Sequence, residues 1–207
     1  MRMKYPRTPH LPFSKGRTSD DKVLPSLSHF EGREIVVTIK MDGENTSIYR
    51  DGFHARSLDS RHHPSRDWLA RFQATIGHDI PEGYRICGEN VYARHSVAYD
   101  NLPSYFMGFS VWDGERALSW DDTLEFFELL GITPVKELYR GVFDQKVLEQ
   151  LAKDFDTEAN EGFVVRVVDS FQYKEFGKSV AKWVRSNHVQ TDEHWMHSAI
   201  VPNALKD

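Results

Sequence analysis

A single cysteine, Cys87, stands in 207 residues. No internal disulfide can form, so the chain is expected in a reducing compartment, the cytoplasm. Long apolar runs are missing as well. Met1-Arg2-Met3-Lys4-Tyr5-Pro6 has no apolar stretch of the signal-peptide kind. Nothing downstream approaches the roughly 20 apolar residues that cross a bilayer, so no membrane association is expected. There is no basic excess either: 26 Lys and Arg against 31 Asp and Glu leave a formal net charge of −5. That argues against a passive nucleic-acid coat, and any contact with nucleic acid must come from a local patch. Repeats, low-complexity stretches and flexible linkers are absent too. What remains is 40% hydrophobic and 13% aromatic, the composition of one packed domain.

Residues 1–30 carry Pro6, Pro9, Pro12 and Pro25 among polar and basic residues and read as an extended lead-in. β-Branched and alternating runs predict strands over 33–40, 45–50 and 53–57, joined by Asp42-Gly43 and by the hairpin signal Asp51-Gly52. A polar loop, Ser57–Arg66, precedes a short helix over 66–76, and strands follow at 84–92 and 104–113. Ser119 opens a helix that has Asp121 and Asp122 in its first turn and Gly131 and Pro134 at its end. A second helix covers 144–154, strands cover 162–168 and 179–185, and a tail with histidines and a tryptophan comes last. Strands in hairpin-like order with inserted helices give an α+β fold on antiparallel sheets.

Within this frame Lys40 has a special place. It ends the run Ile35-Val36-Val37-Thr38-Ile39 and is followed at once by the Asp42-Gly43 turn, which holds an amine on a rigid strand end at the lip of a pocket. Four further segments put charged or amide groups at strand ends. They are Arg56-Ser57, Cys87-Gly88-Glu89-Asn90 with Tyr92–Ser96, Glu161-Gly162-Phe163-Val164-Val165-Arg166, and Ala181-Lys182-Trp183-Val184-Arg185.

In this order and spacing the segments resemble motifs I, Ia, III, IV and V of the covalent nucleotidyltransferases, the superfamily of ATP-dependent ligases and mRNA capping enzymes. Arg7-Thr8-Pro9-His10-Leu11-Pro12 and the stretch from His95 to Phe106 look most like the compact bacterial and phage RNA ligases. The resemblance runs from about residue 5 to 186. It implies an ATP-grasp-like fold, antiparallel sheets flanked by helices, in a single nucleotidyltransferase domain over 1–207. It also implies an enzyme that forms a lysyl-AMP on Lys40 from ATP, passes AMP to a 5′-phosphate RNA end and joins that end to a 3′-hydroxyl. By the same resemblance Glu89 holds the ribose, Phe109 stacks on adenine, and Ile39 and Asn45 belong to the nucleotide site. Glu161 binds Mg²⁺ or Mn²⁺, and Lys182 binds the α-phosphate. Asp42 shapes the turn and acts with Lys40, Lys182 and Arg56 in catalysis, Arg56 and Asn45 mainly after adenylylation. RNA with 5′-phosphate and 3′-hydroxyl ends is the implied partner, with room for a repair partner protein. An attacking lysine must be neutral, and its ordinary pKa is near 10.4; burial and Lys182 are expected to depress that of Lys40.

Plainer readings stand beside these. Glu89 and Glu161 are also ordinary strand-end carboxylates, Lys182 and Arg185 an ordinary charged strand edge, and a lone Phe109 is more often core. Cys87 reads as core. The histidines, among them His62, His63, His78, His95, His188, His194 and His197, lack the partners of a zinc site. Arg61, His62, His63 and Arg66 form a candidate phosphate-contacting loop. Two departures from the family stand out. Val180 occupies the place of a lysine two residues before Lys182, with Lys178 and Arg185 as candidate substitutes. Only 22 residues follow Arg185, fewer than the roughly 50 of a separate domain. No OB-fold is therefore expected, and the tail from His188 either packs as a short helix or leaves the missing surface to a partner. DNA joining is the runner-up function; a catalytically idle nucleic-acid-binding module is the alternative of another class.

Overall fold

The β-branched runs form strands β1 (Glu34–Lys40), β2 (Glu44–Tyr49), β3 (Gly52–Ala55), β4 (Tyr84–Asn90) and β5 (Phe106–Asp113) in the computed structural model, which describes residues 1–186 and 199–207. Further along are β6 (Arg116–Ala117), β7 (Thr133–Pro134), β8 (Glu137–Val142), β9 (Gly162–Val167), β10 (Phe171–Gln172) and β11 (Val180–Val184). Helices α1 (Asp67–Ile76), α2 (Trp120–Leu130) and α3 (Gln145–Asp154) interrupt them. Ser119 caps α2 by accepting the Asp122 N–H, and Gly131 closes it in the left-handed conformation, φ 71°.

The strands make two sheets. One has the order β11-β9-β1-β8, the other β10-β6-β5-β4-β2-β3 with β7 beside β5. All pairs are antiparallel except β5 with β7. In the first sheet Lys40 lies opposite Gly162, and Lys182 opposite Val164. Alternation sends Phe163, Val165, Val167 and Trp183 into a core with Ile35, Val37 and Leu148 of α3. The rings of Phe163 and Trp183 stack at 5.4 Å. The opposite face, with Thr38, Lys40, Val164, Arg166, Val180 and Lys182, looks into a pocket that residues of the second sheet close.

Two glycines are required by close packing. A Cβ on Gly162 would collide with the Trp183 carbonyl, and one on Gly43 with the Asn90 carbonyl. Gly43 lies outside the left-handed region, so the Asp-Gly signal marks an approach of backbones rather than an unusual turn.

Three features were not foreseen. β8 has no expected counterpart, because this edge strand is half-exposed and its sequence, ELYRGV, shows no apolar alternation. The lead-in, expected as loop, is extended but bonded: Leu11 N–H donates to Lys182 O, Lys182 N–H to Pro9 O and Gly16 N–H to Val184 O. It thus lies along β11 as an irregular extra strand. Residues 199–207 form isolated bridges and no helix; the remainder of the tail, including His188, His194, Trp195 and His197, lies outside the described residues. Among the described residues no helix is long and apolar enough to cross a membrane.

Candidate active site

Lys40 is delivered by the end of β1, and across the sheet Glu161 immediately precedes β9. The register brings them together: Lys40 Nζ donates to Glu161 Oε1 at 2.7 Å, the lysine side chain 24% exposed and the carboxylate 1%. From the second sheet come Asn45 on β2 and Glu89 on β4, which are cross-strand partners. Glu89 Oε1 accepts the Gly43 N–H at 3.2 Å. Phe109 comes from β5, Arg56 directly follows β3, and Lys182 stands on β11.

These residues line one cleft with two halves. The inner half is mostly apolar and takes its walls from Ile39, Phe109, Trp120, Val135, Val164 and Phe171. The outer half is polar and includes Arg7, His10, Asp42, His95 and Glu161. Lys40, Asn45, Arg56, Glu89 and Lys182 border both. A ligand with a flat apolar end and an anionic end fits such a shape, the amine of Lys40 lying at the junction.

Electrostatics divides the lysines unexpectedly. Burial pulls the Lys40 ammonium toward neutrality, but Glu161, Glu89 and Asp42, with the hydrogen bond to Glu161, outweigh it and hold its pKa above the ordinary lysine value. The expectation of a depressed Lys40 is therefore corrected: carboxylates, not cations, dominate its surroundings. The depressed lysine is Lys182, lowered to about 8 by burial and by the neighbouring charges of Lys40 and Arg56. Neither Lys182 nor Arg56 forms a salt bridge among the described residues. Both cations are thus available to an anion. Burial also raises Glu89, to about 8, with Glu161 and Asp42 adding to it and Lys40 and Arg56 opposing.

Asp42 is buried, and its Oδ2 accepts from Val97 N–H at 2.6 Å and Ser96 Oγ at 2.9 Å, while its own N–H donates to Tyr99 Oη at 2.9 Å. It ties the turn after Lys40 to the 96–99 loop. Asn45 Oδ1 is a buried acceptor with no hydrogen-bond partner among the described residues, a polar atom left for a ligand. The donor set also bears on a divalent ion. Among the described residues no cluster of three or more His, Cys, Asp or Glu could hold a metal, whereas Glu161 stands in the polar half. The Glu161 carboxylate suits Mg²⁺ or Mn²⁺ that arrives with phosphate ligands.

The structure corrects one candidate group and explains others. Arg66 is unavailable to a phosphate, because its Nε and Nη2 grip Glu44 at 2.7 and 2.6 Å in a buried pair. Arg61 and His62 remain exposed, His62 beside Asp67 at 3.0 Å. Asn90 is structural: it donates to Ser65 O and accepts from Tyr92 N–H. Val180 lies among the walls of the inner half. Lys178 is exposed beside Glu175, 4.0 Å away. Arg185 reaches Thr157 O and Ser96 Oγ, on an adjoining rim with Lys15.

Sequence reasoning assigned no role to Arg166 or Tyr5. Arg166 is buried in the inner half, donating to Val167 O and Leu118 O, with its guanidinium carbon 5.2 Å from the Phe171 ring centre and 5.7 Å from that of Trp120. Burial lowers its pKa to about 10. The two-residue step from Val164 on β9 was the available signal; the surrounding aromatics come from distant segments. Tyr5 arrives from the lead-in and meets Phe109 edge-on at 5.4 Å.

A family model for RNA ligase matches residues 33–184. The chain belongs to the RNA ligase family. All of the expected site residues, from Ile39 to Lys182, fall within the RNA ligase match, whereas Tyr5, Arg7 and His10 reach the cleft from outside it. Solved RNA ligases share the fold. A Naegleria gruberi RNA ligase with PPi superposes with a TM-score of 0.56 at 17% identity, covering 89% of this chain and 58% of that one. An archaeal ATP-dependent RNA ligase gives 0.59 at 15% identity, covering 87% of this chain and 48% of the other. A Naegleria gruberi RNA ligase variant with ATP and Mn gives 0.52 at 15%, with 89% and 61% covered. The chain thus spans about half to three-fifths of the length of these RNA ligases. No curated protein sequence matches it.

Glu89 supplies a test of the site's electrostatics. Its raised pKa means that the folded state favours the protonated form. The stability this lends is complete below pH 4.5 and is lost as pH rises through about 8. Glu89→Gln should therefore gain thermal stability over the parent as pH climbs from 5 to 9, while binding nucleotide more weakly. Melting curves across that range check it, and a pH-independent difference would contradict it.

Proposed function

We propose that this chain is an ATP-dependent RNA ligase, acting as a single nucleotidyltransferase domain in the cytoplasm. The supporting observation is Lys40: a half-buried amine, 2.7 Å from a carboxylate, where an apolar pocket meets a polar one. Adenine lies against Phe109 in the inner half, the ribose hydroxyls reach Glu89 and Asn45, and Lys182 and Arg56 meet the phosphates. Lys40 Nζ attacks the α-phosphorus, a P–N bond forms, and the bond to pyrophosphate breaks. Because Lys40 is protonated as the site stands, its proton must leave first, and Glu161 Oε1 is the acceptor already in place. A divalent ion carried by the triphosphate and held by Glu161 would polarise the phosphate as a Lewis acid. Lys182 stabilises the charge that develops during in-line displacement. The RNA 5′-phosphate then takes AMP from Lys40, and the 3′-hydroxyl displaces AMP to seal the strand.

A chase experiment tests the sequence of steps. Protein stripped with pyrophosphate is loaded with α-labelled ATP and then given 5′-phosphorylated RNA or DNA ends. Label should pass from protein to RNA 5′ ends and be released on sealing. A protein that never takes up label, or that discharges only to DNA, would overturn the reading. In the same assay Arg56→Ala should slow discharge to RNA at least about tenfold and affect the loading step less; equal loss of both would contradict its late role.

A further inference from the structure

We propose that Asn203, far from the catalytic motifs in sequence, is a positioning residue for Lys40 and acts through Tyr99 and Asp42. The inference rests on the role proposed above for Lys40.

Asn203 is 2% exposed. Its Nδ2 donates to Val91 O at 2.9 Å, and its Oδ1 accepts the Tyr99 N–H at 2.9 Å. Its backbone is engaged on the same target: the N–H donates to Tyr92 O, and the carbonyl accepts from Tyr105 Oη at 2.8 Å. Neighbouring residues extend the contact, with Arg94 N–H on Val201 O, Ala204 N–H on Tyr99 O, and Leu102 N–H on Ala204 O. Residues 201–206 therefore lie as a strap across the 91–105 segment, with the Asn203 carboxamide as its buried centre.

The strapped segment also makes polar contacts that end on Asp42. Ser96 Oγ and Val97 N–H donate to Asp42 Oδ2, and Tyr99 Oη accepts the Asp42 N–H. Tyr99 thus receives Asn203 at its backbone and Asp42 at its hydroxyl. Asp42 is two residues beyond Lys40, in the turn that brings Gly43 N–H onto Glu89 Oε1. A chain of short hydrogen bonds links the buried carboxamide to the turn that aims the nucleophile. None of its members touches the apolar half of the cleft, which takes the base. The arrangement predicts an effect on the rate of attack and little effect on how tightly nucleotide is held, since small misplacements of a reacting atom are costly.

The test is single-turnover adenylylation of the full chain, stripped with pyrophosphate and followed over a range of α-labelled ATP concentrations. Wild type is compared with Asn203→Ala, Tyr99→Phe and the double variant, with the melting temperature of each recorded. Each single change should lower the limiting rate by about tenfold to hundredfold and move the apparent Kd for ATP by less than about twofold. The double variant should be no slower than the slower single one, as expected of two groups in one chain of contacts. Should Asn203→Ala fail to fold, Tyr99→Phe, which leaves the Asn203 contacts in place, carries the test, and an unchanged limiting rate in it overturns the proposal. Unchanged limiting rates, losses that multiply in the double variant, or parallel loss of rate and affinity would overturn the proposal. A wild type that forms no lysyl-AMP would instead sink the role assigned to Lys40; wild-type labelling with unaffected variants would sink the positioning role alone.

Discussion

Lys40→Ala should give no labelled protein on a denaturing gel after incubation with α-labelled ATP, and no sealed RNA, while still binding ATP. The loss is absolute because the bond to AMP needs an amine at that point, and no other side chain can supply it from the same strand end. Lys40→Arg should fail equally, since a guanidinium stays protonated and cannot attack. Nucleotide affinity should persist in both, because the apolar half, Arg56 and Lys182 are untouched. Stability should respond as well: Lys40→Ala leaves the 1% exposed Glu161 carboxylate without its ammonium partner, at a cost of up to about 3 kcal/mol. An adduct formed by Lys40→Ala would remove the lysine from the mechanism altogether.

Lys182→Ala should cost about 10² to 10³ in the rate of adduct formation, the usual range for removing a preorganised group that stabilises transition-state charge. Its pH behaviour sharpens the expectation. With a pKa near 8, Lys182 is a cation at neutral pH and loses its proton as the medium turns alkaline. ATP affinity should then weaken with rising pH above about 8, by up to about tenfold per unit. Lys182→Arg should flatten this limb, because its charge persists throughout. Titration of ATP binding between pH 7 and 9.5 checks both. A limb unchanged in Lys182→Arg would mean that another group titrates there.

Much of this architecture was legible from residue patterns. The strand that ends in Lys40, the α2 cap at Ser119 with its stop at Gly131, and the order of the charged strand ends all depend on local chemistry, which a linear reading captures. Lys40, Glu89, Phe109, Glu161 and Lys182 were singled out and converge on one cleft. What escaped depends on distance. The proton affinity of Lys40 was misjudged because burial and Lys182 were weighed and Glu161, 121 positions away but 2.7 Å distant, was not. Arg66 looked like a phosphate contact until Glu44 claimed it. β8 lacked a pattern because an edge strand faces water on one side. Asn203 gave no local signal and Arg166 only its two-residue step from Val164, since their surroundings are assembled from segments brought together only by the fold.

The pairing of Pro9–Gly16 with β11 carries a consequence for biosynthesis. Residues 9–16 find their hydrogen-bond partners near Lys182, which leaves the ribosome much later than they do. β1 likewise waits for β9 before Lys40 can meet Glu161. Until β9 and β11 emerge, the nascent chain exposes β-branched segments and lacks a complete cleft, a state prone to aggregation. Chains cut short before β11 should have no partial activity, because Lys182 and the pairing of β11 with β9 and the lead-in complete the cleft.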